Sequence, residues 1–166
     1  MNRIIITAIG KDRPGLVNKI TKIINDNNGS IENSKMIKID DQFAIIINFT
    51  IKGDSGLIED ELRSIEKLSF FCKQTKKSNM LQVHNNSFSI KGADDKGIMD
   101  SISNYFKNKS INITQIETYV EQAPTTGSPL FNMIVTFDEN EKNFQKIKED
   151  ISEICDKMNL NLFESI

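Results

Sequence analysis

The chain has 166 residues, of which 38% are hydrophobic and 27% charged, and its formal net charge is −2. That is enough chain for one ordinary domain or two small ones, with the balance of a folded globular protein and not of a disordered one. It excludes a global basic field that would gather nucleic acid or anionic lipid, and no apolar run approaches the roughly 20 residues that span a bilayer.

The opening segment, MNRIIITAIG, is apolar only briefly and lacks a small-residue cleavage site. It therefore reads as a strand over Arg3 to Ile9 and not as a signal peptide, which predicts a cytoplasmic protein. A turn with Asp12, Arg13, Pro14 and Gly15 follows. Leu16, Val17, Ile20, Ile23 and Ile24 then recur at helical spacing and give one apolar face. Asn27, Asn28 and Gly29 end that helix, Gly29 suiting a left-handed stop. Ile31 to Ile39 reads as a second strand, Asp40 and Asp41 as a tight turn, and Phe43 to Ile51 as a third strand. A second helix is expected around Ile58, Leu62 and Ile65, and a fourth strand over Lys73 to Val83.

The same order then recurs. Phe88 and Ile90 mark a strand, and Ile98, Met99, Ile102 and Phe106 a helix. Ile111 to Val120 and Phe131 to Phe137 form a hairpin. Phe144, Ile147, Ile151, Ile154 and Met158 mark a last helix, and Leu160 to Phe163 a closing strand. A shift of 82 residues overlays Gly10 on Gly92, Asp12 on Asp94, Gly15 on Gly97, Leu16 on Ile98 and Ser30 on Asn112 without a gap. Glycines, helix stripe and strand start match together, which is the mark of an internal repeat. The expected domains are 1–84 and 85–166, divided near VHNNS, where polar turn-formers interrupt the apolar pattern. Each half has the order β-α-β-β-α-β, so the fold class is α+β: two ferredoxin-like units with both helices on one face of an antiparallel sheet. A core of about 80 residues is thin. Pairing of the halves, or of two chains, relieves that.

Cys72 and Cys155 lack a secretory context and read as reduced, buried core thiols. With the lone His84, read as a linker residue, they are too few and too far apart for a metal site. No cofactor or metal is expected.

The turn after the first strand carries the chemistry. A helix entered there leaves its first N–H groups without intrahelical partners, and the macrodipole adds partial positive charge. Pro14 suits the first helical turn, Asp12 is placed to cap, and Gly15 permits a close approach. The corner fits a carboxylate, although capping and turn chemistry alone account for the same residue types. The counterpart, ADDKG at 93–97, keeps Asp94 and Gly97, loses the proline and places Asp95 where the first half has Arg13.

The segment GKDRPGLVNKITKIINDNNGSIENSKM closely resembles the first half of an ACT domain, a regulatory module that binds amino acids and similar effectors. QAPTTGSPLFNMIVTF resembles a hairpin in the second ACT domain of glycine cleavage system transcriptional repressors. The resemblance covers essentially the whole chain and implies a stand-alone tandem ACT regulator that is not an enzyme. It implies an effector lying between modules, held by the strand–helix turn of one and the second-strand start of the other. The implied ligand-binding residues are Asp12, Arg13, Gly15, Leu16 and Ser30 in the first half, and Asp94, Asp95, Gly97, Ile98 and Asn112 in the second. Asn112 matches an amide that family members use for the effector. Ser30 reaches less far, and Asp95 disfavours an anion, so the two sites are expected to be unequal. The implied partners are a small amino-acid effector, glycine among the candidates, a DNA-binding regulator protein and a second copy in a homodimer, with no direct nucleic-acid or membrane contact.

Three alternatives bear on the same residues. One is a partner-binding ACT module without a ligand. Another is an acylphosphatase-like enzyme using Arg13 and Asn48, against which stand the missing phosphate loop and the N–H that Pro14 removes. The third is an RNA-binding sheet with Phe43, Phe49, Phe131 and Phe137 as stacking platforms, although these read as core. The halves carry +3 (13 basic minus 10 acidic, residues 1–84) and −5 (8 minus 13, residues 85–166). That asymmetry is compatible with head-to-tail pairing, solvated faces being the simpler account of scattered charge.

Overall fold

Strand alternation sorts the first segment into two faces: Ile4, Ile6 and Ala8 are buried, while Arg3, Ile5, Thr7 and Ile9 lie on the opposite side. In a computed structural model describing residues 1–76, 85–124, 126–138 and 141–164, the chain divides into two compact units, Met1–Asn79 and Met80–Ile166. The first holds β1 (Asn2–Lys11), α1 (Leu16–Asp26), β2 (Ser30–Ile39), β3 (Gln42–Ile51), α2 (Gly56–Arg63) and β4 (Leu68–Thr75). The second holds β5 (Asn85–Ala93), α3 (Ile98–Asn108), β6 (Asn112–Gln122), β7 (Pro129–Asp138), α4 (Glu141–Lys157) and β8 (Leu160–Glu164).

Each unit has one antiparallel sheet, ordered β2-β3-β1-β4 and β6-β7-β5-β8. This is the ferredoxin-like βαββαβ arrangement occurring twice, an α+β fold. The repeat extends to irregularities. Both outer strands shift register at the same place, between Ile31 and Asn33 and between Ile113 and Gln115. In the first core, Ile6 and Phe49 of the sheet meet Ile20, Ile24, Ile58 and Leu62 of the helices. In the second, the Phe88 ring lies 5.3 Å from Phe137 and 5.2 Å from Phe144, and Phe106 lies 5.0 Å from Phe137. Each such side chain contributes about 1.5–3 kcal/mol when fully buried. Phe43, Phe49 and Phe137 are buried and Phe131 packs against the second core, so none is offered as a stacking platform.

Several boundaries differ from the sequence reading. The fourth strand starts at Leu68, not Lys73, and runs to Thr75, because Leu68, Phe70 and Cys72 turn toward the core at period two. Residues 77–84, including Val83, His84 and the start of the VHNNS segment, lie outside the described residues. Ile65 and Met158 fall just beyond α2 and α4. Cys155 is buried, whereas Cys72 is only half-buried. The left-handed stop after α1 is Asn28 (φ 58°), not Gly29. Gly29 is there for space: a Cβ on it would lie 2.8 Å from the Ile24 carbonyl oxygen that its own N–H bonds. Ser110 (φ 56°) plays the same part after α3, where the Ile111 N–H reaches the Phe106 carbonyl. Both ends are Schellman closures.

Candidate functional site

The two strand–helix corners are built alike. At the first, Gly15 occupies the position before α1 with φ 84° and ψ −1°, and no side chain caps the helix. Asp12 is therefore not the cap, and Pro14 precedes the helix and is not in its first turn. The physical reason is the turn itself. Leu16 N–H closes onto the Arg13 carbonyl at 3.3 Å. Pro14 followed by a left-handed glycine is what a type II turn requires at its two central positions. The first intrahelical bond runs from Lys19 N–H to the Gly15 carbonyl, so the N–H groups of Val17 and Asn18 have no carbonyl within the helix. A Cβ on Gly15 would meet nothing within 4 Å: the space beside it is open.

At the second corner Gly97 has φ 87° and ψ 2°, again with no side-chain cap and open space beside it. Ser101 N–H makes the first helical bond to Gly97, leaving Met99 and Asp100 as the unpaired N–H groups of α3. Here Lys96 replaces Pro14, and its restored N–H is taken by Asp95 Oδ1 at 2.7 Å. The two substitutions thus compensate one another within the turn.

At the first corner the side chains are engaged. Asp12 pairs with Lys38 Nζ at 2.8 Å, and its N–H donates to the Asp41 carbonyl of the β2–β3 turn at 2.8 Å. The hydrogen bond to Asp12, and then its charge, raise the Lys38 ammonium above the usual lysine range. Arg13 donates to the Glu66 carbonyl at 2.7 Å. Asp94 is exposed, and its N–H donates to the Pro129 carbonyl. Leu16 and Ile98 are buried in the two cores, so only their backbones face the corners. Lys38 and Glu66 were missed from sequence. The first was recoverable, because a turn at Asp40–Asp41 places Lys38 opposite Phe43, whose other neighbour is Gly10.

Within one unit the expected site residues do not converge. Ser30 pairs with Thr50, which pairs with Arg3, whereas the corner follows Lys11, paired with Gln42. Eight residues of strand, about 27 Å at 3.4 Å each, separate those ends. Asn112 likewise pairs with Asp138 at the far end of its sheet from Gly97. Asn48 lies opposite Ile5, with its amide nitrogen 3.4 Å from Glu32, several rows from Arg13. The arginine–asparagine pair of the acylphosphatase alternative is therefore not assembled.

Each unit also has a groove between its helices. That between α1 and α2, about 500 Å³, is lined by Arg13, Lys19 and Lys22 against Asp26, Glu61 and Glu66. That between α3 and α4, about 220 Å³, holds Lys109, Lys146 and Tyr105 around Asp150. In both, opposite charges answer one another, and neither selects an anion. Among the described residues no cluster of His, Cys, Asp and Glu is placed to hold a metal, and no helix is long and apolar enough to cross a membrane.

Each half of the chain is thus a ferredoxin-like unit with an open glycine corner at the head of its first helix. The ACT-domain family model matches residues 2–77, and through this first unit the chain belongs to the ACT-domain family. Two curated relatives are UPF0237 proteins. That of Methanocaldococcus jannaschii is 34% identical over 65 residues, covering 37% of this chain and 72% of the relative. That of Methanococcus maripaludis is 29% identical over 68 residues, covering 41% and 76%. Among solved structures, a protein of unknown function from Galdieria sulphuraria superposes with TM-score 0.87 at 20% identity over 99% of both chains. A candidate glycine cleavage system transcriptional repressor superposes with TM-score 0.66 at 14% identity, covering 99% of this chain and 98% of that one. At these identities the likeness is one of fold.

Proposed function

We propose that this chain is a tandem ACT regulator that binds a small amino acid at corners completed by another module, and that it acts on transcription through a DNA-binding protein partner. The observation that carries the reading is the duplicated corner. Gly15 and Gly97 hold open space beside two unpaired helix N–H groups each, which suits a carboxylate. An amino acid also needs an acceptor for its ammonium group and a donor for its second carboxylate oxygen. The first corner lacks both on its own side, since Asp12 and Arg13 are engaged, whereas the second keeps the exposed Asp94 carboxylate as an acceptor; a strand start bearing Ser30 or Asn112 from another module supplies hydroxyl or amide. Asn112 offers more hydrogen bonds than Ser30, so the sites are unequal. Glycine is the leading candidate effector, since the corner has room and the fold is shared with the candidate glycine cleavage repressor. The reading includes a homodimer and no catalysis.

The test is a thermal-shift screen of the proteinogenic amino acids. A ligand at about 100 times its Kd adds roughly 2.7 kcal/mol to the stability of the state it binds. A shift abolished by Gly15→Trp or weakened by Asn112→Ala supports the assignment. No shift from any amino acid replaces it with a partner-binding ACT module that takes no effector.

A further inference from the structure

Asn28 and Gly29, which close the first helix, are the chain's one Asn-Gly pair. The pair is exposed to solvent and locked in conformation. Asn28 lies on the surface, left-handed at φ 58°. The Gly29 N–H donates to the Ile24 carbonyl at 2.8 Å, and the Asn28 N–H to the Asn25 carbonyl at 2.9 Å. Asn27 adds a clasp: its amide nitrogen donates to the Ile23 carbonyl at 2.9 Å and to Glu61 Oε1 of α2 at 3.0 Å. The second unit is built differently at its helix ends. Ser110, the left-handed stop after α3, carries no amide. Asn159, left-handed at φ 55° after α4, is followed by Leu160, whose branched side chain shields the next nitrogen.

We infer that Asn28 is a site of spontaneous, one-way modification, and that the closure of α1 sets its rate. The chemistry needs only water. The Gly29 nitrogen, having given its proton to base, bonds to the carbonyl carbon of the Asn28 side chain. The side-chain amide takes up a proton and leaves as ammonia. Water then opens the five-membered imide at either carbonyl, to aspartate or to isoaspartate. No side chain on Gly29 hinders the attack. In the closed unit, however, the nitrogen is held on the Ile24 carbonyl, so reaction waits for the closure to open, an event governed by local stability. The product does not close as before. Isoaspartate lengthens the main chain by a methylene at a point where a Cβ on Gly29 would already lie 2.6 Å from Ile24 Cγ2 and 3.3 Å from the Phe49 ring. Either product sets a new carboxylate at the carbonyl end of α1, where the macrodipole disfavours it. Conversion thus marks the age of the first unit and loosens the link from α1 to β2. It involves neither glycine corner and stands independently of any effector.

The experiment incubates the full chain at pH 8 and 37 °C, folded and in guanidinium, and follows the tryptic peptide 23–35 by mass spectrometry. Fragment ions separate Asn28 from Asn25, Asn27 and Asn33 in that peptide. In guanidinium Asn28 converts ahead of the other three. In the folded chain it converts at least about tenfold more slowly. Asn27→Ala, which removes the clasp, raises the folded rate and leaves the rate in guanidinium unchanged. Asn28→Gly suits the left-handed position and has no amide to lose, so its melting point survives an incubation that lowers that of wild type. Equal rates in folded and denatured wild type, or another asparagine of the peptide converting ahead of Asn28, overturn the inference. So does a wild type converted at Asn28 that melts with the fresh chain, or an Asn27→Ala chain whose folded rate matches wild type.

Discussion

Gly15 and Gly97, 82 positions apart, hold the same backbone conformation to within a few degrees, φ 84° against 87°, with nothing within 4 Å of where a Cβ would stand. The constraint at these corners is thus conformational and not steric. Replacing Gly15 by alanine costs about 1–2 kcal/mol, the penalty of a left-handed L-residue, and asparagine costs less because it visits that region more readily. In a unit of this size 1 kcal/mol moves the melting point by about 4–8 °C. The expected order of melting points is Gly15, then Gly15→Asn, then Gly15→Ala, with the same order at Gly97. An alanine variant as stable as wild type would show that the turn relaxes to another form.

Gly10 and Gly92 answer to a different cause. A Cβ on Gly10 would lie 2.5 Å from the Lys67 carbonyl oxygen, a backbone atom whose own residue is left-handed at φ 56°. At Gly92 the nearest obstacle is the end of the Leu160 side chain, with the Asn159 carbonyl at 3.1 Å. Side chains yield where backbone does not, so Gly10→Ala is the costlier change, about 1–3 kcal/mol. Denaturant midpoints of the two alanine variants check the order, and asparagine at Gly10, unlike at Gly15, brings no relief.

These two pairs mark what could be read in advance. The repeat, the βαββαβ order and the fold class follow from periodicity, because Ile, Leu and Phe at period two or 3.6 leave one solution for burial. The corner's location was also legible, from Asp, Pro and Gly between a strand and a helix stripe. Its internal wiring was not. Asp12 has the chemistry of a cap, yet the type II turn moves the helix start to Leu16, and Lys38 takes the carboxylate. Arg13 has the chemistry of an anion ligand but is bound to the Glu66 carbonyl, a residue 53 positions away. Long-range polar partners depend on tertiary packing and leave no period in the sequence.

Both cysteines are poor nucleophiles. Burial pushes the Cys155 thiol up to about 11, and burial together with the nearby Glu59 carboxylate does the same to Cys72. Against an ordinary value of 9.0, each holds roughly a hundredfold less thiolate near pH 8. A chromogenic disulfide reagent at pH 8 should modify half-buried Cys72 slowly and Cys155 only when the second unit opens, both becoming fast in denaturant. The same shifts carry a stability sign. The native groups hold their protons where unfolded thiols have lost them, so their contribution is complete below 9 and fades as pH rises from 9 toward 11.

Asp150 gives the opposite dependence. It joins α4 to the end of α3: Oδ1 takes Lys146 at 2.8 Å, and Oδ2 takes Lys109 and the Tyr105 hydroxyl, each at 3.1 Å. Hydrogen bonds from Lys146 and then Lys109 hold its carboxyl down at about 2, from an ordinary 3.8, against a smaller opposing effect of burial. The unfolded carboxylate therefore binds its proton before the native one does. The stabilisation is fully present above pH 3.8 and is lost as pH falls from 3.8 through about 2. Asp150→Asn removes the charge that both lysines answer and presents an amide donor beside them, so it lowers the denaturant midpoint at pH 7. The deficit against wild type should be constant from pH 7 to pH 5 and shrink through pH 3.5 and pH 2.5. A deficit that persists unchanged at pH 2.5 would mean that packing of the side chain, and not its charge, ties the two helices together.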